Sequence, residues 1–210
     1  MMDLKQSEWV KHAVTHPIEG FEDMRWKKSG SLKIAVVIVL LFFFAQVAHA
    51  RLYGFQFGQP HDKTFSIVPY FVKSVVLFAA WTIGNWAVCT LLDGEGTARN
   101  ICIYSAYSLI PYIVQTYVNV LLSRILVRDE AVFMQVIEII GVGWSAVMLF
   151  SAIRSVHQYS AGKTCMAIVM TIAAMFVMLF LLVLFISLVQ QIMVFVSTVW
   201  TEITYRFRVG

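Results

Sequence analysis

Charge is scarce in this chain. Asp and Glu number 12 and Lys and Arg 16 among 210 residues, so only 13% of positions are charged, against about a quarter in soluble domains. That deficit excludes an ordinary soluble globular fold. It also leaves no basic stripe of the kind a nucleic-acid module needs, although the pI is near 9.0. Cysteine is equally thin: Cys89, Cys102 and Cys165 stand far apart, with no CxxC and no metal-ligand spacing. Three unpaired thiols exclude a disulfide framework and fit a reducing compartment. Of four prolines, Pro111 alone falls in the middle of a long apolar run.

What the chain has is apolar sequence. Hydrophobic residues make up 60% of it and the mean hydropathy is +0.77, which together mark an integral membrane protein. Residues 81–113 show its grammar: an apolar run ends in the tight turn Asp93-Gly94-Glu95-Gly96, and another begins at once. A bilayer needs about 20 apolar residues per spanning helix, and both arms supply that. The pattern predicts an all-α, polytopic membrane helix bundle with five transmembrane helices, spanning about 32–50, 67–92, 101–123, 131–153 and 165–190. Residues 1–30 form a separate polar segment, 31–200 the five-span membrane domain, and 191–210 an amphipathic external tail. The Ala48-His49-Ala50 triplet imitates a leader cleavage site, but the long acidic stretch before the first apolar run predicts retention as a span.

Within residues 1–30, Ser7 can cap a short helix over 8–14. Pro17 suits the first turn of a second, in which Ile18, Phe21 and Met24 recur at three-residue spacing. Early acids and late bases match the helix dipole, so an N-terminal amphipathic interfacial helix is expected, with Phe21 and Trp26 as anchors. Arg25, Lys27, Lys28 and Lys33 flank the first span on one side and only Arg51 on the other. The positive-inside rule then places the N-terminus in the cytoplasm and, after five spans, the C-terminus outside a plasma membrane. In the loop 51–66, His61-Asp62 lacks the further ligands a metal needs.

Polar residues inside the spans are the candidate functional or packing positions. Asn85 in the second span must face another helix, because exposure to lipid would be costly. Thr97 or Asn100 can cap the third span, which Pro111 should kink by removing a donor and clashing with the Tyr107 carbonyl. Tyr104, Tyr107, Tyr112 and Tyr117, with Gln115 and Asn119, give that kinked third span a polar stripe that either lines a cavity or bonds between helices. Glu138 in the fourth span is either a proton or cation site or the partner of Arg124, Arg128 or Lys73. Gly141 and Gly143 permit close helix contact. Gly162-Lys163-Thr164 lacks the upstream glycine and strand of a phosphate loop. Gln190-Gln191 divide a fifth run too long for one upright helix, which therefore tilts and projects or bends there.

These features resemble the Yip domain family of Ypt-interacting membrane proteins, specifically its prokaryotic branch. The likeness rests on His16-Pro17-Ile18-Glu19-Gly20-Phe21-Glu22-Asp23, Trp81, Asn85-Trp86, Asp93-Gly94-Glu95-Gly96-Thr97, Ala106-Tyr107 and Leu109-Ile110-Pro111. Eukaryotic relatives act in vesicle traffic and associate with prenylated GTPases. Their Asp-Leu-Tyr-Gly-Pro motif is absent before the first span here, and Leu52-Tyr53-Gly54 lies after it, which argues against a GTPase partner. For bacterial relatives, the resemblance implies an association with carbohydrate-uptake transporters.

No Ser/His/Asp grouping, metal cluster or carboxylate pair shares one depth. The expected function is therefore a non-enzymatic accessory or scaffold protein without cofactor or metal. Its partners would be the lipid bilayer and other integral membrane proteins, with transporter subunits or a second copy of the chain as the alternatives. A small-solute or ion carrier, and lipid handling or membrane shaping, stand as the competing readings.

Overall fold

The computed structural model describes residues 6–27, 29–54, 56–57 and 66–209. The Ser7 side chain expected to cap a helix, the contribution of Lys28 and the His61-Asp62 pair lie outside what it describes. Among the described residues the chain is all-helical: α1 (Gln6–Thr15), α2 (Pro17–Trp26), α3 (Leu32–Leu52), α4 (Val68–Phe71), α5 (Leu77–Leu91), α6 (Ala98–Ser108), α7 (Ile110–Leu122), α8 (Ala131–His157) and α9 (Ala161–Val209). A π turn, Val72–Val76, fuses α4 to α5, and a 3-10 turn, Arg128–Glu130, leads into α8. Five segments are long and apolar enough to cross a membrane: Leu32–Leu52, Val68–Leu91, Ala98–Leu122, Arg128–His157 and Ala161–Arg208. The protein is an integral, multi-pass membrane protein.

The third span is the centre of the bundle. Its α6 packs on α3, α5 and α8, and its α7 on α3 and α8. Leu109 separates the two helices, with Pro111 at the second position of α7. The Tyr112 amide, left without its partner across the proline break, donates instead to Ser145 Oγ of α8 at 2.9 Å. Thr97 caps α6, its hydroxyl accepting from the Asn100 amide. The core joins Ala35, Ile38 and Ala45 of α3 to Ile101, Tyr104, Tyr107 and Ile113, and to Met148 and Ala152 of α8.

One expectation about the ends of the chain changes. Two positions of the α2 apolar stripe do not meet lipid: Phe21 and Met24 are fully buried against the bundle, Phe21 packing on Tyr104 at 5.6 Å between ring centroids, while Ile18 and Trp26 stand exposed. Three-residue apolar spacing fits a protein groove as well as a membrane interface, and here α8 supplies the groove. Pro17 opens α2 and is buried too, while Gly20 lets α2 cross tightly over the backbone of His12 and Ala13.

At the other end the chain takes the first of the two expected courses, a long projecting helix, and does not bend. α9 runs unbroken through Gln190 and Gln191 for 49 residues, about 73 Å at 1.5 Å per residue. Glutamine keeps its backbone hydrogen bonds and is a good helix former, so polarity alone does not interrupt the helix. Thr164, Ala167 and Thr171 are buried, and Met175 and Met178 close on Gly84 of α5. From residue 180 to 208 every residue is exposed.

Candidate functional site

Of the residues behind the family resemblance, Asn85 and the Asp93–Thr97 turn meet at one end of the bundle, where α5 and α8 stop in the same manner. Asp93 and Gln158 both adopt left-handed backbone, φ 55° and 56°. Each turn is closed by a bond from the following residue to the carbonyl five back: Gly94 N–H to Cys89 O at 2.7 Å, and Tyr159 N–H to Arg154 O at 3.2 Å. This is the Schellman termination, which returns the last carbonyls of a helix to donors. The two turns then lock together. Tyr159 Oη lies 3.2 Å from both Cys89 O and Leu92 O of the other turn.

His157 sits between them, almost fully buried. The Gly96 amide points at its Nδ1 (3.3 Å), and an amide nitrogen can only donate. His157 Nδ1 is therefore the acceptor and Nε2 carries the hydrogen, which it gives to Asn85 Oδ1 at 3.2 Å. Asn85 Nδ2 in turn donates to Thr171 Oγ1 (3.1 Å), and Thr171 Oγ1 to Ala167 O (2.7 Å). One directional chain thus ties the 92–97 turn, α8, α5 and α9, with every donor matched to an acceptor. A doubly protonated ring would set two N–H groups against each other at Gly96.

The glycines of the turn are there for contact. A Cβ on Gly94 would meet His157 Nδ1 and Tyr159 Oη, and one on Gly96 would meet Val156 and His157. Outside them Arg25 of α2 donates to the Ser155 and Val156 carbonyls at the end of α8 and pairs with Glu95. It brings positive charge to the negative end of the α8 dipole. Glu95 is two-thirds exposed, so the ion pair itself is worth at most about 1 kcal/mol. Ser155 Oγ donates to Phe21 O (2.8 Å), fastening α2 to the same helix end. Tyr159 stacks on His157 (5.2 Å, 19°), with Lys163 Nζ 4.5 Å from its centroid. Burial first, and then the neighbouring Cys89, push the Tyr159 phenol above the ordinary tyrosine range.

The other predicted positions lie away from this knot. Tyr107 is fully buried and its Oη accepts from the Ser31 amide at 3.2 Å, while Tyr112 Oη accepts from Gln46 (3.2 Å). Asn119 donates to Met134 O and to Gln115 Oε1, and Gln115 donates to Thr116. The polar stripe of the third span is therefore turned into the bundle and bonded there, with Asn119 Oδ1 alone left buried without a partner among the described residues. Gly141 lets Gln115 lie against α8, but a Cβ on Gly143 would meet open space, so only the first glycine serves close packing.

The pairing expected of Glu138 does not form. It is exposed on α8 and has no ion-pair partner among the described residues. Arg124 and Arg128 turn instead to the Leu52 and Gln56 carbonyls. Burial, and next the negative charge of Glu138, raise the pKa of Tyr53.

His157, Tyr159, Arg25 and Thr171 were missed as members of a site. His157 and Tyr159 sit in a polar connection with no motif, and their partners lie tens of residues away. The one available signal was Asn85, a buried polar group that needed partners from other helices. Chemically the arrangement is a lock. His157 has both nitrogens engaged, the Cys89 thiol is held by the Tyr159 hydroxyl, and no group of three His, Cys, Asp or Glu that could hold a metal occurs among the described residues.

The Yip1 domain family matches residues 11–185. The chain belongs to this family. No curated protein and no solved structure matches it. The Yip1 domain contains the whole knot and ends six residues beyond Leu179, the last partly covered residue of α9. The distal part of that helix is outside both the domain and the bundle.

Proposed function

We propose that this Yip1 protein is a non-enzymatic accessory or scaffold protein that assembles with other integral membrane proteins, a carbohydrate-uptake transporter of a bacterial plasma membrane being the partner class we favour. The observation that carries the reading is the stretch of α9 beyond Leu179. Phe180, Phe185, Met193, Phe195 and Trp200 are all more than half exposed, on a helix far longer than a bilayer requires. Such a helix beside a closed bundle suits a chain that offers a surface to partners. The lock of His157 and Asn85, in which each donor has an acceptor, supports a structural role for the conspicuous polar residues. The internally consumed stripe of Gln115 and Asn119 weighs against a carrier.

In this reading the end bearing α1, α2 and the 92–97 turn is cytoplasmic. Arg25, Lys27, Arg99, Arg154 and Lys163 gather there, as the positive-inside rule asks. Cys165 is exposed at that end, so an impermeant maleimide should label it only after the membrane is opened. The decisive experiment is purification of the tagged chain from its native membrane in mild detergent, with mass spectrometry of its companions. Transporter subunits at fixed ratio are expected. Recovery of the chain alone would overturn the proposal and favour lipid handling.

A further inference from the structure

A crevice opens on the flank of the bundle at membrane depth, away from the knot. Its volume is about 280 Å3. The second span contributes Lys73, Leu77 and Trp81, one face at four-residue spacing; α6 supplies the floor with Ser105 and Ser108, and α8 the other wall with Leu149. From Lys73 to Trp81 the crevice runs for about 12 Å along the helix axis. Its serines are occupied: Ser105 Oγ accepts from Trp81 Nε1, Ser108 Oγ donates to Ser105 O, and Ser145 Oγ accepts from the Tyr112 amide. The lining presented to an occupant is accordingly apolar, apart from one cation at one end.

That cation lies on the π turn Val72–Val76, a wide turn that recurs at functional sites. Lys73 begins about 8 Å below the start of its span, within reach of the headgroups for a long side chain. No described carboxylate pairs with it. A lysine inside a span and facing a cavity calls for an anion.

We propose that the crevice is a binding site for an acidic phospholipid, one acyl chain lying between the second span and α8 and the phosphate resting on Lys73. An apolar lining with satisfied serines offers nothing to a sugar or an inorganic ion. A helix of ~10 Å diameter would fill roughly 900 Å3 over the same length, so a partner helix does not fit. A lipid chain with a charged head matches both the shape and the single cation. The inference is independent of the accessory role, because a scaffold and a free-standing chain would both carry the site.

The test uses Trp81 as reporter. The protein is placed in vesicles containing brominated phosphatidylglycerol or brominated phosphatidylcholine, and the Trp81 signal is read as the difference between the parent and Trp81→Phe. Brominated phosphatidylglycerol is expected to quench at about fivefold lower mole fraction, the preference one lysine gives. Lys73→Gln should abolish that preference and Lys73→Arg should keep it. Ala146→Phe, which fills the crevice while leaving the lysine, should lower quenching by both lipids. Equal quenching by the two lipids in the parent would overturn the proposal, as would a Trp81 that neither lipid quenches, the result expected if a second copy or another protein covers the opening.

Discussion

The third and fifth spans are both membrane helices, yet they are opposites. Ala98–Leu122 has the lowest mean hydropathy of the five, 1.2, and 56% of its apolar window is buried in protein; Ala161–Arg208 has the highest, 3.1, and none of its window is buried. The other three fall between in strict inverse order, from 1.5 with 33% buried to 2.2 with 22%. In lipid the hydrophobic effect does not drive helices together, because acyl chains are as apolar as leucine. The centre of such a bundle is marked by what lipid rejects: Tyr107, Asn119 and Asn85, each bonded to another helix or turn, and Gln115, which lies against Gly141 of α8. Hydropathy in this protein measures contact with lipid or partners, and polarity measures contact with itself.

The largest test of that contrast is the knot at the end of α5 and α8. Gly96→Ala drives a methyl into Val156 and His157, and displacing the turn should cost about 3 kcal/mol. Asn85→Leu, which leaves His157 Nε2–H and Thr171 without their partner, should cost about 1 to 2 kcal/mol, since buried polar pairs in membranes are worth less than in water. Thermal unfolding in detergent, followed by circular dichroism, reads both. A Gly96→Ala protein as stable as the parent would mean that the turn does not seat on α8.

A finer test compares two glycines two positions apart on α8. Gly141→Ala must push Gln115 aside and should destabilise by about 1 to 2 kcal/mol, whereas Gly143→Ala faces open space and should be neutral or stabilising by up to about 1 kcal/mol through helix propensity. The same assay decides it. Equal effects would show that α7 and α8 do not meet at Gly141.

Much of this architecture was legible in the sequence because composition acts locally. The turn at 92–97, the cap at Thr97 and the break before Pro111 each follow from residues within a few positions of one another. The site was legible only at its donor end. Asn85, Gly94 and Gly96 carry a local signature, but Arg25 is 70 residues from Glu95 and His157 is 72 from Asn85, and no periodicity encodes such distances. Phe21 was misplaced because three-residue spacing states only that a helix has an apolar face. Gln190 and Gln191 left two courses open for the converse reason: a polar pair changes a helix's environment without changing its hydrogen bonds.

A smaller effect concerns the left-handed turn residue Asp93. Asp93→Ala keeps the β-carbon strain of that region and loses the local hydrogen bonding by which a short polar side chain tolerates it, so it should cost up to about 1 kcal/mol. Asp93→Gly removes the strain but frees the unfolded chain, so the two contributions nearly cancel. A penalty for glycine as large as that for alanine would show that the carboxylate, and not the backbone, holds the turn.

The smallest expected effect says most about α9. Phe195→Ala removes a large side chain that is 69% exposed, so the isolated protein in detergent should unfold within about 0.5 kcal/mol of the parent. The equivalent truncation in the core, Phe21→Ala, should cost about 3 to 5 kcal/mol, because Phe21 is wholly enclosed. If the fifth span exists to meet partners, Phe195→Ala should lose them while leaving the bundle intact, and the two variants then separate assembly from folding. If Phe195→Ala instead destabilises the purified chain, with a loss that shrinks on dilution, α9 is already covered by a second copy. The inverse order of hydropathy and burial would then belong to the single chain and not to the molecule that works in the membrane.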